Sequence, residues 1–508
     1  MRKKCRIRKV KLATLFVRHN KIRSVCASLG IGPCGCGRIR MVKKLAFLTI
    51  LGWLVFPVLG QNEQDSSRVL TLRNIHIVGN DKTKPQIITR ELSVSAGNSY
   101  ILKNLSDTLR FDRNRIYNTN LFNVVELTIQ AVDSAQADLL IRVEERWYIY
   151  PIPLFKLADR NFNDWWVNRD HDFQRVNFGI VYSQFNVRGR AERLRLTAQT
   201  GFEDRFIFNY RIPYIDKKQH NGLMPEVFLI QSKNLGYQTV DHLRTFIMAE
   251  EEMRQSVGLS MIHTYRKRFY DYHFTGLGLY NTHIADTIAY LNPNYLGDGR
   301  TQQRFMTATY GYQFDTRNNI NYPFTGTNFL ATITKTGLSE GDLNYVSANV
   351  RLAKYYDLKN GFYTGHSVQG YWSSDASRPF LNYYGLGFEP QIYVRGYELD
   401  LIEGSAFFLT KNSTRKLLWK SKANLGKGMP IKQFRTIPIA FYGKVFFDGG
   451  YVWNFENNAA NTRLTDNFIY GTGVGVDMVT IHDLVIRFEY SRNWDGETQF
   501  FLNFMTDI

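Results

Sequence analysis

The side chains of this sequence whose types and spacing could do chemistry point to pairing and recognition more than to turnover. The sequence has no nucleophile elbow, no HExxH pair and no GxxxxGK phosphate loop, so acyl-transfer, zinc-hydrolase and nucleotide chemistry lack their usual groups. His242, His263, His273 and His283 stand at no metal-ligand spacing, and the run Glu250-Glu251-Glu252 reads as a solvated loop face. Cys34 and Cys36 are too close together for a zinc knuckle and have no second ligand pair. Arg395 is different. It stands in the phrase Tyr393-Val394-Arg395-Gly396-Tyr397, and a guanidinium is a planar fork of donors that suits a carboxylate. The expectation is a protein that is not an enzyme and that carries no cofactor and no metal.

The chain must deliver such groups to their place. Residues 45–59 form a short apolar stretch behind Lys43 and Lys44 and before Gly60 and Gln61. That order describes a secretory signal peptide at 41–60, and the mature chain is expected to start near Gln61. Met41 already begins a complete signal, so residues 1–40 read as a non-native extension. Residues 1–60 hold fourteen Lys and Arg and no acid; without them the formal charge falls from +19 to +5. Basicity therefore gives no support to nucleic-acid binding. All four cysteines, Cys5, Cys26, Cys34 and Cys36, go with that leader, and a cysteine-free mature chain suits an oxidising compartment. A mean hydropathy of -0.30 excludes a bundle of membrane helices. About ten polar residues between the signal and residue 72 leave no room for an enzymatic passenger.

Two periodicities divide the rest. Residues 72–146 alternate between strand and helix patterns. A strand over 72–78 ends at Gly79-Asn80, helical stretches follow over 84–92 and 102–118, and strands follow over 124–130 and 138–144. The order is β-α-α-β-β, a small α/β domain. From Trp147 onward the period is two. Phe206, Phe208, Tyr210, Ile212 and Tyr214 share one face against Arg205, Asn209 and Arg211; Ile486, Phe488 and Tyr490 oppose Arg487, Glu489 and Ser491. Charged residues repeated along the hidden face suit a wet lumen, so 147–508 is read as a transmembrane β-barrel. About seventeen strand candidates reduce to sixteen once one in the stretch 243–267 is merged or dropped, because both chain ends must lie on one side. Sixteen strands enclose more space than their own side chains fill.

The phrase Tyr393-Val394-Arg395-Gly396-Tyr397 resembles the VRGY/F motif of the BamA/TamA superfamily of outer-membrane assembly and secretion proteins. Asp315, Arg317 and Asn318 with Pro323 and Gly326 resemble its DxRN-to-PxxG segment. Phe447-Asp448-Gly449-Gly450 resembles its FxDGG strand, and residues 470–475 its glycine-rich penultimate region. Residues 72–146 resemble a polypeptide-transport-associated (POTRA) domain. The resemblance implies that a plug loop around 385–405 folds back inside the barrel and that Arg395 pairs with the lumenal Asp448; alternation along the strand 441–451 sets Val445 and Phe447 toward lipid and Lys444, Phe446 and Asp448 inward. Gly396 would turn the backbone, while Gly449 and Gly450 would let the loop approach the wall. Gly496, Phe500, Leu502 and Phe504 resemble the strand by which such barrels are themselves inserted, although the chain continues to Ile508 instead of ending on an aromatic.

The resemblance further implies a Gram-negative outer-membrane location with the POTRA domain in the periplasm. Expected partners are outer-membrane lipid and lipopolysaccharide, unfolded client polypeptides, and periplasmic chaperones or accessory lipoproteins. Three functions follow. The chain could insert or translocate polypeptides, with the POTRA domain receiving the client by strand addition. It could be a dedicated secretion pore for one partner protein. Or it could be a structural or porin-like barrel, since fold does not dictate function.

Overall fold

In a computed structural model of the chain, the described residues are 69–503 except 158–164, 167–169, 339–342, 376, 390, 456–457 and 481–483. The expected extension 1–40 and the expected signal peptide 41–60 lie outside the described residues. No described helix is long and apolar enough to cross a membrane.

Alternating apolar residues build the front domain. Strand β1 (Val69–Val78) runs parallel to β4 (Gln136–Glu145), which pairs antiparallel with β3 (Phe122–Ala131). A three-residue strand, β2 (Ser99–Ile101), extends the sheet to the order β2-β1-β4-β3. The expected β-α-α-β-β pattern therefore gains a short strand between its helices, too brief to show a period. Helix α1 covers Pro85–Thr89, shorter than the 84–92 expected, and α2 covers Leu102–Asn118. Leu105, Leu109 and Ile116 recur at helical spacing and bury one face of α2 against Leu72, Leu139 and Ile141.

Sixteen of the remaining described strands form one antiparallel sheet, from Ile149–Leu157 to Thr498–Asn503, in sequence order. This is the expected barrel. The ambiguous stretch resolves into two pieces: Leu243–Ile247 pairs with Leu235–Val240 as a separate hairpin, and Arg254–Tyr265 is a strand of the sheet. The strand expected to reach Tyr214 ends at Arg211, with Ile212 making one isolated bridge to Leu223. Large apolar side chains such as Phe206, Val445, Phe488 and Phe500 are exposed, while Lys444, Asp448, Arg487 and Glu489 are buried on the opposite face. That inversion of the usual inside-out rule is what a lipid-facing wall around a polar lumen requires.

At the end away from the POTRA domain, the hairpin, helix α3 (Asp286–Leu291) and Phe380 pack around Leu235, Tyr295 and Leu296. This packing makes a capped outer mouth.

Candidate functional site: the inward loop and its anchors

Four consecutive strands, Ala406–Asn424, Thr436–Trp453, Phe468–Val479 and Val485–Asn493, form the wall on which the site is built. Their register places Lys411 beside Asp448, Asp448 beside Gly471 and Gly471 beside Asn493. Lys444, Phe446 and Asp448 alternate inward along one strand, and Arg487, Glu489 and Ser491 along another. Lumenal charge therefore accumulates in one patch.

The segment between strands Phe362–Ser373 and Ala406–Asn424 descends onto this patch. Gly385–Leu386 pairs with Ile402–Glu403 to close its neck. Below, Leu386, Ile392, Val394, Tyr397 and Ile402 are buried with Phe407 and Val452 of the wall. Arg395 lies at the bottom, with its side chain 1% exposed and that of Asp448 0%. Its Nε and Nη2 donate to the two Asp448 oxygens, each at 2.7 Å. Nη2 also donates to Ser413 Oγ at 3.0 Å, Nη1 to Glu489 Oε1 at 3.3 Å, and the guanidinium lies 3.9 Å over the Phe446 ring. This bidentate fork has the geometry that makes arginine differ from lysine.

Arg395 belongs to a larger buried network. Lys444 Nζ pairs with Asp477 at 2.7 Å and Glu489 at 3.0 Å, and Arg487 Nε lies 3.5 Å from Asp477. Three cations thus face three carboxylates. Balance of this kind is what lets charge be buried at all, because any unpaired member would carry its full desolvation penalty. Lys444, Glu489, Asp477 and Arg487 were not singled out with Arg395 in the sequence, although the inward alternation of Lys444, Arg487 and Glu489 was the signal that could have found them.

Gly396 and Gly450 act as expected and Gly449 does not. Gly396 has φ +102°, a turn that L side chains resist; its N–H donates to Glu398 and its carbonyl accepts from Asn493. At Gly450 an added Cβ would lie 2.8 Å from Val394, so that glycine does face the loop. At Gly449 it would meet the Phe468 ring on the neighbouring strand, so Gly449 makes no room for the loop. The close approach is at Gly471, where a Cβ would overlap the Arg395 carbonyl.

The Asp315–Gly326 segment is not beside Arg395. It forms a turn at the POTRA end. Arg317 forks onto Asp315 at 2.6 and 2.9 Å, Asn318 Oδ1 accepts the Phe324 and Thr325 amides at 3.0 Å, and Gly326 has φ +109°. Pro323 O accepts from the buried Arg415 at 2.8 Å. The neighbouring Tyr322 donates to Asp477 at 3.0 Å. Tyr322, Asp477, Lys444, Glu489 and Arg395 thus form a continuous polar chain from this turn to the loop. On its other side the turn meets the POTRA domain, where Asn118 Nδ2 donates to Arg317 O at 2.9 Å.

The POTRA domain is seated by a second contact. Glu91, 2% exposed, accepts from Arg266 Nη1 and Nη2 at 2.6 and 2.8 Å. Arg90 stacks 3.9 Å over Tyr214, and Arg115 3.8 Å over Phe269.

The other expected residues are scattered. Gly496 lies in the turn before the last strand, on which Phe500 and Leu502 are exposed; Phe504 lies outside the described residues. His263, His273 and His283 bond to strand neighbours, whereas His242 is fully buried in the outer cap. A GxSxG spacing does occur at 337–341, after the barrel strand Gly326–Thr336, but its Ser339 and Gly341 lie outside the described residues.

With this geometry in place, the comparisons can be read. Residues 186–499 match the family model described as the Omp85 superfamily domain, and residues 70–146 match the POTRA model described as a surface antigen variable number repeat. No curated protein matches the sequence. Among solved structures, CdiB from Escherichia coli is 11% identical with a TM-score of 0.52, over 88% of this chain and 78% of that one. BamA from Haemophilus ducreyi lacking POTRA domains 1–3 is 14% identical with a TM-score of 0.47, over 86% and 83%. At these identities the likeness to CdiB is one of fold.

Proposed function

The chain belongs to the Omp85 superfamily, outer-membrane barrels of protein insertion or secretion with POTRA domains in the periplasm, and from that premise we propose that it inserts or translocates client polypeptides without enzymatic turnover. The POTRA domain receives the client. The observation that carries this reading is the seating of that domain on the barrel turns through Glu91 and Arg266. A receptor fixed at the mouth serves polypeptide delivery and is of no use to a small-solute pore. Its sheet ends in the ten-residue strand β3, an edge to which an extended client can add by main-chain hydrogen bonds.

The capped outer mouth and the charge-anchored loop favour insertion over passive diffusion, because a solute path would have to break a balanced buried network. Reconstitution of the full chain into liposomes tests the proposal. Urea-unfolded outer-membrane protein should fold several-fold faster than in empty liposomes. Conductance like that of an open pore, with no acceleration of folding, would favour the porin-like alternative.

A further inference from the structure

Two turns at the POTRA end, residues 212–221 and 266–270, project beside helix α1 and border with it an open cavity of about 670 Å³. Lys217, Lys218, Lys267 and Arg268 line this cavity and are all exposed. None of the four makes an ion pair among the described residues. The nearby acids are already used: Glu91 is held by Arg266, and Asp216 accepts the His220 and Asn221 amides at 3.0 and 2.8 Å. The third side comes from the POTRA domain, through Thr89 and Arg90.

The place of these cations relative to the lipid face is set by strand alternation. Along Arg254–Tyr265, Val257, Leu259, Met261 and Tyr265 are 43, 48, 49 and 36% exposed. That strand ends at Tyr265, and Lys267 follows two residues later, in the turn. On the adjoining turn, Ile215 is 49% exposed and precedes Lys217 by two residues. The cations therefore begin where the apolar band stops, on the periplasmic side. A solvated surface patch needs no such placement. It also needs no wall from a second domain.

We propose that this cavity binds the phosphate headgroup of an anionic phospholipid in the periplasmic leaflet, bridging the barrel turns and helix α1 of the POTRA domain. The lipid's acyl chains lie along the face of Met261 and Tyr265, and its phosphate accepts from the lysines and Arg268. Free phosphate shares the headgroup chemistry but lacks the acyl chains, and an acidic peptide would have no reason to sit at the apolar border.

The test uses the full chain in nanodiscs of phosphatidylcholine with a minor fraction of phosphatidylglycerol, followed by native mass spectrometry of retained lipid. The wild type should keep phosphatidylglycerol in preference to phosphatidylcholine. A variant combining Lys217→Gln, Lys218→Gln, Lys267→Gln and Arg268→Gln should lose that preference by about tenfold or more, since each basic residue near an anionic lipid surface contributes appreciably. Lys233→Gln with Arg300→Gln, exposed cations at the opposite end of the barrel, should leave it unchanged. Heat-modifiable mobility on a gel verifies that each variant is folded. Equal retention by wild type and quadruple variant would overturn the proposal. So would displacement of the lipid by millimolar inorganic phosphate, which would show that the acyl chains contribute nothing.

Discussion

The carbonyl oxygen of Arg395 fills the space that a β-carbon on Gly471 would occupy. The inward loop and the barrel wall are therefore in backbone contact at the point where the guanidinium enters its carboxylate pair. Gly471→Ala should lift the loop off the wall, at about 1–3 kcal/mol for such overpacking. The folded form should then lose its anomalous gel mobility at a lower temperature than the wild type. Gly370→Ala, where the nearest atom lies 4.0 Å from the added carbon, should not change it. Equal heat resistance for the two variants would mean that the loop does not rest on Gly471.

Arg395 and Asp448 should be energetically coupled. Each single alanine variant leaves an uncompensated buried charge, worth ~3–5 kcal/mol, and the double variant should lose much less than the sum. Because Glu489 also faces Arg395 at 3.3 Å, Arg395→Ala should be the more damaging: it strands Asp448 and leaves Glu489 to Lys444, whereas Asp448→Ala leaves Arg395 its Glu489 partner. Reversible urea unfolding in detergent gives all three values. Additivity would show that the pair is not coupled.

Glu91→Gln should loosen the POTRA domain without unfolding it, since the substitution keeps volume and removes the charge that Arg266 grips. Spin labels at the exposed Asp107 and Lys359 report the distance between domain and barrel. The wild type should give a narrow distribution and the variant a broader one. An unchanged width would assign the seating to the Arg90–Tyr214 and Arg115–Phe269 stacks instead.

The outer cap should weaken in acid through His242. Its Nε2 accepts the Leu464 amide at 3.0 Å, so Nδ1 carries the proton toward Leu401 O at 3.2 Å. A second proton would face the Leu464 N–H. Burial, reinforced by Arg463, pushes the imidazole below its ordinary value of 6.5, against the opposing pull of Leu401 O and Asp241. A histidine held neutral in the fold contributes stability that is present above 6.5 and is lost as pH falls from there toward the lowered value. Protection factors for hydrogen exchange across residues 235–247, with the slower intrinsic exchange in acid divided out, should fall several-fold from neutral pH to about pH 5. His242→Gln should flatten that dependence, and a variant that kept the full acid response would place the titrating group elsewhere.

What this chain declares in its sequence is what a strand decides locally. The side-chain period of two assigns Phe488 and Tyr490 to one face and Arg487 and Glu489 to the other before any neighbour is known. Repeated over many segments, that alternation is enough to read a lipid-facing wall around a polar lumen. The phrase around Arg395 was legible for a similar reason, since a backbone turn at Gly396 and a charge needing a partner are both written in adjacent residues. Which partner is another matter. Asp448 and Glu489 lie 53 and 94 residues from Arg395, on different strands, and they meet it only once four registers and one loop path are set together. The expectation that Gly449 makes room for the loop failed at that step, because Gly449 and Gly471 both sit in glycine-rich strands and only the register decides which one lies under the loop. Likewise, nothing local to Tyr322 announces Asp477, 155 residues away. Face is a property of one strand, whereas contact inside a barrel depends on how every strand is offset from the next, and that offset is a property of the closed tertiary structure.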